Sequence, residues 1–321
     1  MRFLVTGGAG FIGSQYVRDL SKGDLPGASS ITVIDDLTYA GNLANIVDPL
    51  QVGNFRFVKG NICDHELMSQ LISESDVIIN FAAESHVDRS ISDGRKFLES
   101  NLLGVHTILN CLLENPSKRF LQVSTDEVYG SIDSGSWNEQ EPLRPNSPYS
   151  ASKASADLLA LAHFKTFGTN VSITRCSNNY GPFQFPEKFI PLAITNLLRG
   201  KKVPIYGDGL NIRDWLHVSD HCRAIHLACT EGLAGEVYNV GGGIELTNLQ
   251  IVDTILAQMN YSRKETEFVE DRKGHDRRYS VDWSKIQKLG YNPQVTFTEG
   301  IATTIGWYTA NEQWWDATVQ Q

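Results

Sequence analysis

Seven residues near the N-terminus constrain this chain more than any other stretch. Gly7-Gly8-Ala9-Gly10-Phe11-Ile12-Gly13 directly follows the apolar run Phe3-Leu4-Val5 and opens a helical pattern. With no side chains at 7, 10 and 13, the backbone can turn tightly and approach a pyrophosphate, whose charge a helix N-terminus stabilises. Asp35 ends the run Ile31-Thr32-Val33-Ile34, 22 residues beyond Gly13, where an acid can accept hydrogen bonds from an adenosine ribose. Asp36 stands beside it with no arginine nearby, so a 2′-phosphate is repelled and NAD is expected rather than NADP. The plainer reading, that both acids merely begin a solvated loop, has to ignore the strand and helix around the glycines.

Short β-branched runs alternate with longer helical patterns through the first half. The expected strands are 2–6, 31–35, 55–59, 76–80, 119–124 and 171–176; the expected helices are 11–22, 64–73, 94–114 and 149–167. Asp64 and Tyr149 sit near helix starts and Gly168 just past an end. The alternation predicts an α/β fold, a doubly wound parallel sheet of the Rossmann kind. After residue 177, Pro182, Pro186, Pro191 and Pro204 break the rhythm and predict a second, smaller mixed α/β lobe. Glu236 to Gly243 reads as a further strand and turn returning to the sheet. The expected division is 1–177 with 212–243 for the dinucleotide domain, and 178–211 with 244–321 for the second.

A surplus of 37 acids over 28 bases gives a formal charge of −9, which disfavours nucleic acid and anionic membranes as partners. Apolar runs fall far short of the ~20 residues of a membrane span. Met1 to Thr6 leads straight into glycines without a leader-like apolar region. Cysteines 63, 111, 176, 222 and 229 form no Cys-x-x-Cys, and their odd count favours free thiols in a reducing cytoplasm. Cys222 and Cys229 share a helix face and read as core.

Two side-chain pairs carry chemistry. Tyr149 and Lys153 lie four apart, on one helix face. A phenol with a pKa of ~10 is a poor base near neutrality, and an adjacent ammonium would stabilise its phenolate. Lys153 is also placed to hold a nicotinamide ribose. Such pairs are common in ordinary helices; behind a dinucleotide loop, this one points to hydride transfer at an alcohol. Asp126 and Glu127 follow strand 119–124, whose C-terminal end faces the cofactor crevice of a doubly wound sheet. Adjacent carboxyl groups can serve as acid and base when their surroundings separate their pKa values.

Thr6 to Ser14 together with Tyr149 to Lys153 resembles the extended short-chain dehydrogenase/reductase superfamily. Within it, Ser124-Thr125-Asp126-Glu127-Val128-Tyr129-Gly130, Ala82 to Ser90, Arg175 to Pro182, Pro186-Glu187-Lys188, Tyr206 to Gly209, Arg213-Asp214-Trp215 and Gly274 to Tyr279 resemble the dTDP-glucose 4,6-dehydratases. The resemblance spans almost the whole chain. It implies a nucleotide-sugar substrate, dTDP-glucose, and a homodimer. It also implies that Tyr149 takes the C4 hydroxyl proton while Thr125 orients the oxygen, Glu127 removes the C5 proton, and Asp126 protonates the departing C6 hydroxyl. For the cofactor it implicates Phe11, Ile12, Asp35, Leu37, Thr38, Asn61, Ile62, Ala82, Ala83, Ser100, Tyr149, Lys153 and Asn179, beside Gly7, Gly10 and Gly13. For the nucleotide-sugar it implicates Ser85, Thr125, Asn178, Glu187, Lys188, Pro204, Tyr206, Arg213, Asn248, Arg272 and His275. Arg213 and Arg272 suit a diphosphate because guanidinium forms paired, charge-assisted hydrogen bonds.

Three positions depart from the family pattern. Asn61 replaces the Asp that meets adenine, keeping one acceptor without the charge; Ser100 replaces a Thr; Lys273 occupies a common Pro position. No metal is expected, since no His, Cys or carboxylate partners His275 at ligand spacing. A sister 4-epimerase would need no elimination acids, a sugar decarboxylase commonly lacks the Asp before the Glu, and a non-catalytic NAD-binding protein would have lost Tyr149 or Lys153. Thr125-Asp126-Glu127 argues against the first two and Tyr149 with Lys153 against the third.

Overall fold

The glycine run leaves the end of a fully covered central strand. In a computed structural model describing residues 1–51, 53–271 and 274–319, strand β1 (Arg2–Thr6) is flanked by β2 (Ser30–Asp35) and β4 (Val77–Asn80), all parallel. With β3 (Phe55–Lys59), β5 (Arg119–Thr125), β6 (Val171–Cys176) and β10 (Val237–Val240) they form a seven-stranded parallel sheet, ordered β10-β6-β5-β4-β1-β2-β3. Helices α1 (Phe11–Lys22) and α9 (Val218–Thr230) cover one face. Helices α3 (His65–Ser73), α6 (Gly104–Leu113) and α7 (Pro148–Phe167) cover the other, and apolar residues such as Leu4, Ile78, Ile108 and Ala160 are buried between the layers. Both faces being covered explains why β1 and β4 are apolar without alternation.

The second lobe is built from short, sequence-distant strands. β7 (Asn178–Tyr180), β9 (Ile212–His217) and β11 (Glu245–Thr247) make a three-stranded sheet, while β8 (Val203–Tyr206) pairs with β12 (Thr266–Val269). Helices α8 (Phe189–Leu198), α10 (Asn248–Gln258) and α12 (Phe297–Ala310) pack around them, and α13 (Glu312–Val319) follows. Short helices α2 (Val47–Leu50), α4 (Val87–Ser92), α5 (Arg95–Leu98) and α11 (Ser284–Gln287) complete the order.

Helix ends follow the local chemistry. Asp64 caps α3 by accepting from Leu67 N at 3.1 Å. For α7 the cap is Ser147, in a reciprocal box with Ser150 and with Pro148 in the first turn, and Gly168 closes the helix at φ 70°. The expected single helix 94–114 is α5, a π turn at Glu99–Leu103, and α6. The wider turn aims the buried Asn101 inward, where its amide donates to Glu84 O at 3.0 Å and Ser152 Oγ at 2.9 Å. Such π turns often mark functional sites. Among the described residues, no helix is long and apolar enough to cross a membrane.

Candidate active site

Three connected clefts open at the C-terminal ends of the sheet strands, as expected for a doubly wound fold. The first begins at the glycine turn. Gly7 has φ +66°, and a Cβ there would stand 2.5 Å from Ala82 N, so only glycine fits. Gly10 precedes α1 without a side-chain cap, leaving that helix's first N–H groups to a ligand. Gly13, Phe11, Ile12, Ala83 and Asn179 wall the same cleft. This cradle fits a dinucleotide pyrophosphate.

Asp35 braces the cradle. Its Oδ2 accepts from Ala9 N at 2.9 Å and its Oδ1 from Leu37 N at 2.8 Å. Burial pushes its carboxyl pKa up, the two N–H groups pull it back, and Asp36 raises it further. Asp35, Thr38, Asn61, Ile62, Ala82 and Ser100 line the branch beyond. Leu37 is not on that wall: it packs against the core, and its backbone N–H is what serves the site. The amide of Asn61 donates to Asp36 Oδ2 at 2.9 Å while its oxygen accepts from Cys63 N at 2.9 Å. An aspartate at 61 would repel Asp36, so the missing charge removes a clash between neighbours.

Thr125 ends β5, and a 3-10 turn, Asp126–Tyr129, brings Asp126 and Glu127 into the first cleft opposite Tyr149 and Lys153. The Thr125 hydroxyl accepts from Glu127 N at 3.3 Å, donates to Asp126 Oδ1 at 3.3 Å, and hydrogen-bonds with the Tyr149 phenol. Asp126 is buried, and its Oδ2 has no hydrogen-bond partner. Burial, then the charges of Glu127 and Asp214, push its pKa well above the carboxylate range. A proton donor is therefore available beside Glu127.

Tyr149 and Lys153 stand on one face of α7 and both line the first cleft. Lys153 Nζ donates to Val123 O at 2.7 Å, and burial pushes its pKa down. Burial and the Glu127 charge push the Tyr149 phenol well up, opposed by the Thr125 hydrogen bond. The lysine tail takes the nearest strand carbonyl, so the phenol's immediate partner is a hydroxyl rather than an ammonium.

Glu127 and Asn178 also face the third cleft, with Glu187, Tyr206, Arg213, Asn248 and His275. Arg213 is anchored by its own Ile212 O at 2.7 Å and Asp276 O at 2.8 Å, with its guanidinium 4.2 Å from the Tyr279 ring centroid. Ser85 and Lys188 stand on the first cleft, and Lys188 Nζ donates to Ser85 O at 2.8 Å. Pro204 pairs with Glu267 between β8 and β12 and is not among the described residues that line these three clefts. Arg272 and Lys273 lie outside the described residues. A carboxylate does partner His275: Asp271 Oδ1 is 2.7 Å from its Nδ1. Among the described residues, however, no group of three His, Cys, Asp or Glu is arranged to hold a metal.

Sequence reasoning missed Tyr39, Cys176 and Tyr279 as wall residues. Tyr39 follows Thr38 directly, and its ring lies 4.0 Å from the Arg89 guanidinium. Its place in the loop after Asp35 was the available signal.

A dinucleotide crevice joined to a tyrosine–lysine helix and an acid pair with Asp126 buried defines an enzyme of the short-chain dehydrogenase/reductase class. The model of the GDP-mannose 4,6 dehydratase family matches residues 4–304. A dTDP-glucose 4,6-dehydratase of Actinoplanes sp. is 56% identical over 319 residues, covering 98% of this chain and 100% of the relative. The crystal structure of the dTDP-glucose 4,6-dehydratase DesIV from Streptomyces venezuelae, with NAD bound, superposes with a TM-score of 0.98 at 52% identity, covering 99% of this chain and 100% of that one. A dTDP-glucose 4,6-dehydratase structure from Bacillus anthracis, also with NAD, gives 0.91 and 48%, covering 99% of each chain. This chain belongs to the dTDP-glucose 4,6-dehydratase family.

Proposed function

We propose that this protein is a dTDP-glucose 4,6-dehydratase, an NAD-dependent lyase that makes dTDP-4-keto-6-deoxy-glucose. The observation that carries this reading is the facing of the Asp126–Glu127 turn and Tyr149 across one cleft that begins at the glycine cradle. Bound NAD would accept hydride from C4 and return it to C6, with a proton delivered to C5, so the cofactor ends each cycle unchanged. Residues 7–13, Asp35, Thr38, Asn61, Ile62, Ala82, Ala83, Ser100, Lys153 and Asn179 would hold it. Tyr149, hydrogen-bonded to Thr125 and held as the phenolate by the positive nicotinamide ring that bound NAD would supply, takes the C4 hydroxyl proton. The resulting ketone acidifies C5, Glu127 removes that proton, and Asp126 protonates the C6 hydroxyl so that water leaves.

The third cleft, with Glu187, Tyr206, Arg213, Asn248 and His275, would take the nucleotide diphosphate end. We further infer the two-domain division set out from the sequence, corrected to leave Ile212–His217 with the second lobe whose sheet β9 joins, a cytoplasmic setting, and a homodimer. Exposed Leu98, Leu103 and Leu158 along α5, the π turn and α7 support the last. Incubation with dTDP-, UDP- and GDP-glucose, followed by product identification, tests the function. Conversion of dTDP-glucose to its 4-keto-6-deoxy product is expected; interconversion of C4 epimers alone would replace this reading with an epimerase.

A further inference from the structure

A polar cluster lies between the two catalytic elements and none of the steps above uses it. Arg175 on β6 is in register with Ser124 of β5 and Asn239 of β10. Its Nε donates to Asp157 Oδ2 at 2.8 Å, and its Nη1 donates to the Tyr129 phenol oxygen at 2.8 Å. That phenol donates to Asn239 Oδ1 at 2.8 Å, and Asn239 Nδ2 donates to Trp137 O at 3.0 Å. Arg175, Asp157, Tyr129 and Asn239 are all buried.

The ends of this chain of bonds belong to different parts of the chemistry. Asp157 is four residues beyond Lys153 and eight beyond Tyr149, on the same face of α7. Tyr129 is the last residue of the turn that carries Asp126 and Glu127. Replacing a buried ion pair by apolar side chains is often neutral or stabilising, so stability alone does not account for such a cluster. Fixing a geometry does. Acid–base groups must stand within hydrogen-bond reach of their protons, and a displacement of about 1 Å can cost ~10²-fold in rate.

We propose that Tyr129, held between Arg175 and Asn239, is a positioning residue for water elimination. It locks the acid-bearing turn to α7, so that Glu127 and Asp126 meet C5 and the C6 hydroxyl of a sugar already held by Tyr149 and Thr125. The inference rests on the dehydratase reading. Oxidation at C4 draws on Thr125 in β5 and on Tyr149 and Lys153 in α7, which their own strand and helix hold. Elimination draws on the turn. Loosening the turn should therefore slow one stage and spare the other.

The test compares the parent holoenzyme with Tyr129→Phe and Asn239→Ala, which undo the phenol's bonds from opposite sides. Turnover of dTDP-glucose, reduced-nicotinamide absorbance and solvent deuterium entry at C5 are followed together. Both variants should keep KM within about twofold and oxidise C4 at the parent rate. Their kcat and C5 exchange should fall at least tenfold while a 4-ketoglucose nucleotide accumulates. Unchanged kcat overturns the proposal. So does loss of C4 oxidation in step with dehydration, or failure of both variants to fold, since the cluster would then serve only stability. A parent that leaves dTDP-glucose untouched counts against the dehydratase reading instead.

Discussion

Asp126 keeps its proton because burial outweighs what compensates its charge: Oδ2 is buried without a partner, and Glu127 and Asp214 add repulsion that the Arg213 charge and the Thr125 hydroxyl only partly offset. Its folded pKa lies above the unfolded value of ~3.9, so over the window between them the native state holds a proton that the unfolded chain releases. Stability from this group is complete below about pH 4 and is lost as pH rises through the folded pKa. Asp126→Asn has no proton to lose. The variant should melt at least about 2 °C above the parent near pH 7, with the gap closing towards pH 4, while dehydration slows by ~10²–10⁴ and C4 oxidation survives. Melting curves across pH and product analysis check both; equal melting at neutral pH would sink the argument. Tyr149→Phe should instead block C4 oxidation itself, seen as no reduced-nicotinamide absorbance on mixing with substrate. These residues were legible because each pair is contiguous or one helical turn apart. The contact between Lys153 and Val123 O was not, since a flexible tail's choice of acceptor depends on a strand 30 residues away in sequence.

At the level of elements, legibility tracked locality. Strands β1 to β6 and helices α1, α3 and α7 appear within a residue or so of the expected bounds, because their apolar spacing and caps are written in adjacent residues. The π turn at Glu99–Leu103 was hidden because the partners of Asn101, Glu84 and Ser152, come from other elements. Strands β7, β9 and β11 were hidden because three-residue and six-residue runs acquire meaning only when paired across large sequence gaps. Two glycines separate these kinds of information experimentally. Gly168 has φ +70° with open space around it, whereas Gly7 has φ +66° and the backbone of Ala82 against it. Gly168→Ala should cost about 1–2 kcal/mol through backbone conformation alone, lowering Tm with kcat unchanged. Gly7→Ala adds an overlap inside the cofactor cradle, so the purified variant should carry little NAD. Cofactor content after denaturation, measured beside Tm, distinguishes the two.

Across the whole molecule, the last helix braces the first loop. Trp314 Nε1 donates to Asn45 Oδ1 at 2.9 Å, and Asn45 Nδ2 donates to Ala9 O at 2.8 Å, inside the glycine turn. Phe183, held at φ 66°, fills the same seam, with the Arg18 guanidinium 4.1 Å and the Trp307 ring 4.4 Å from its centroid. A bulky residue in that backbone region costs of order 1–3 kcal/mol unless its surroundings enforce it, and here a cation and a tryptophan do. Nothing in the local sequence announces a bond between residues 45 and 314; it follows from how the second lobe folds back over α1. Its consequence concerns cofactor retention, which a cycle that returns its hydride rewards. Trp314→Phe keeps an aromatic ring in the seam but removes the indole donor, leaving Asn45 free to turn and Ala9 O less firmly held. A net hydrogen bond is worth about 0.5–1.5 kcal/mol, so NAD should leave the variant roughly 2- to 12-fold faster, with the KM for dTDP-glucose unchanged. Exchange of bound cofactor for labelled NAD measures the rate directly. A parent-like rate would mean that Asn45 holds the loop without help from the C-terminal helix.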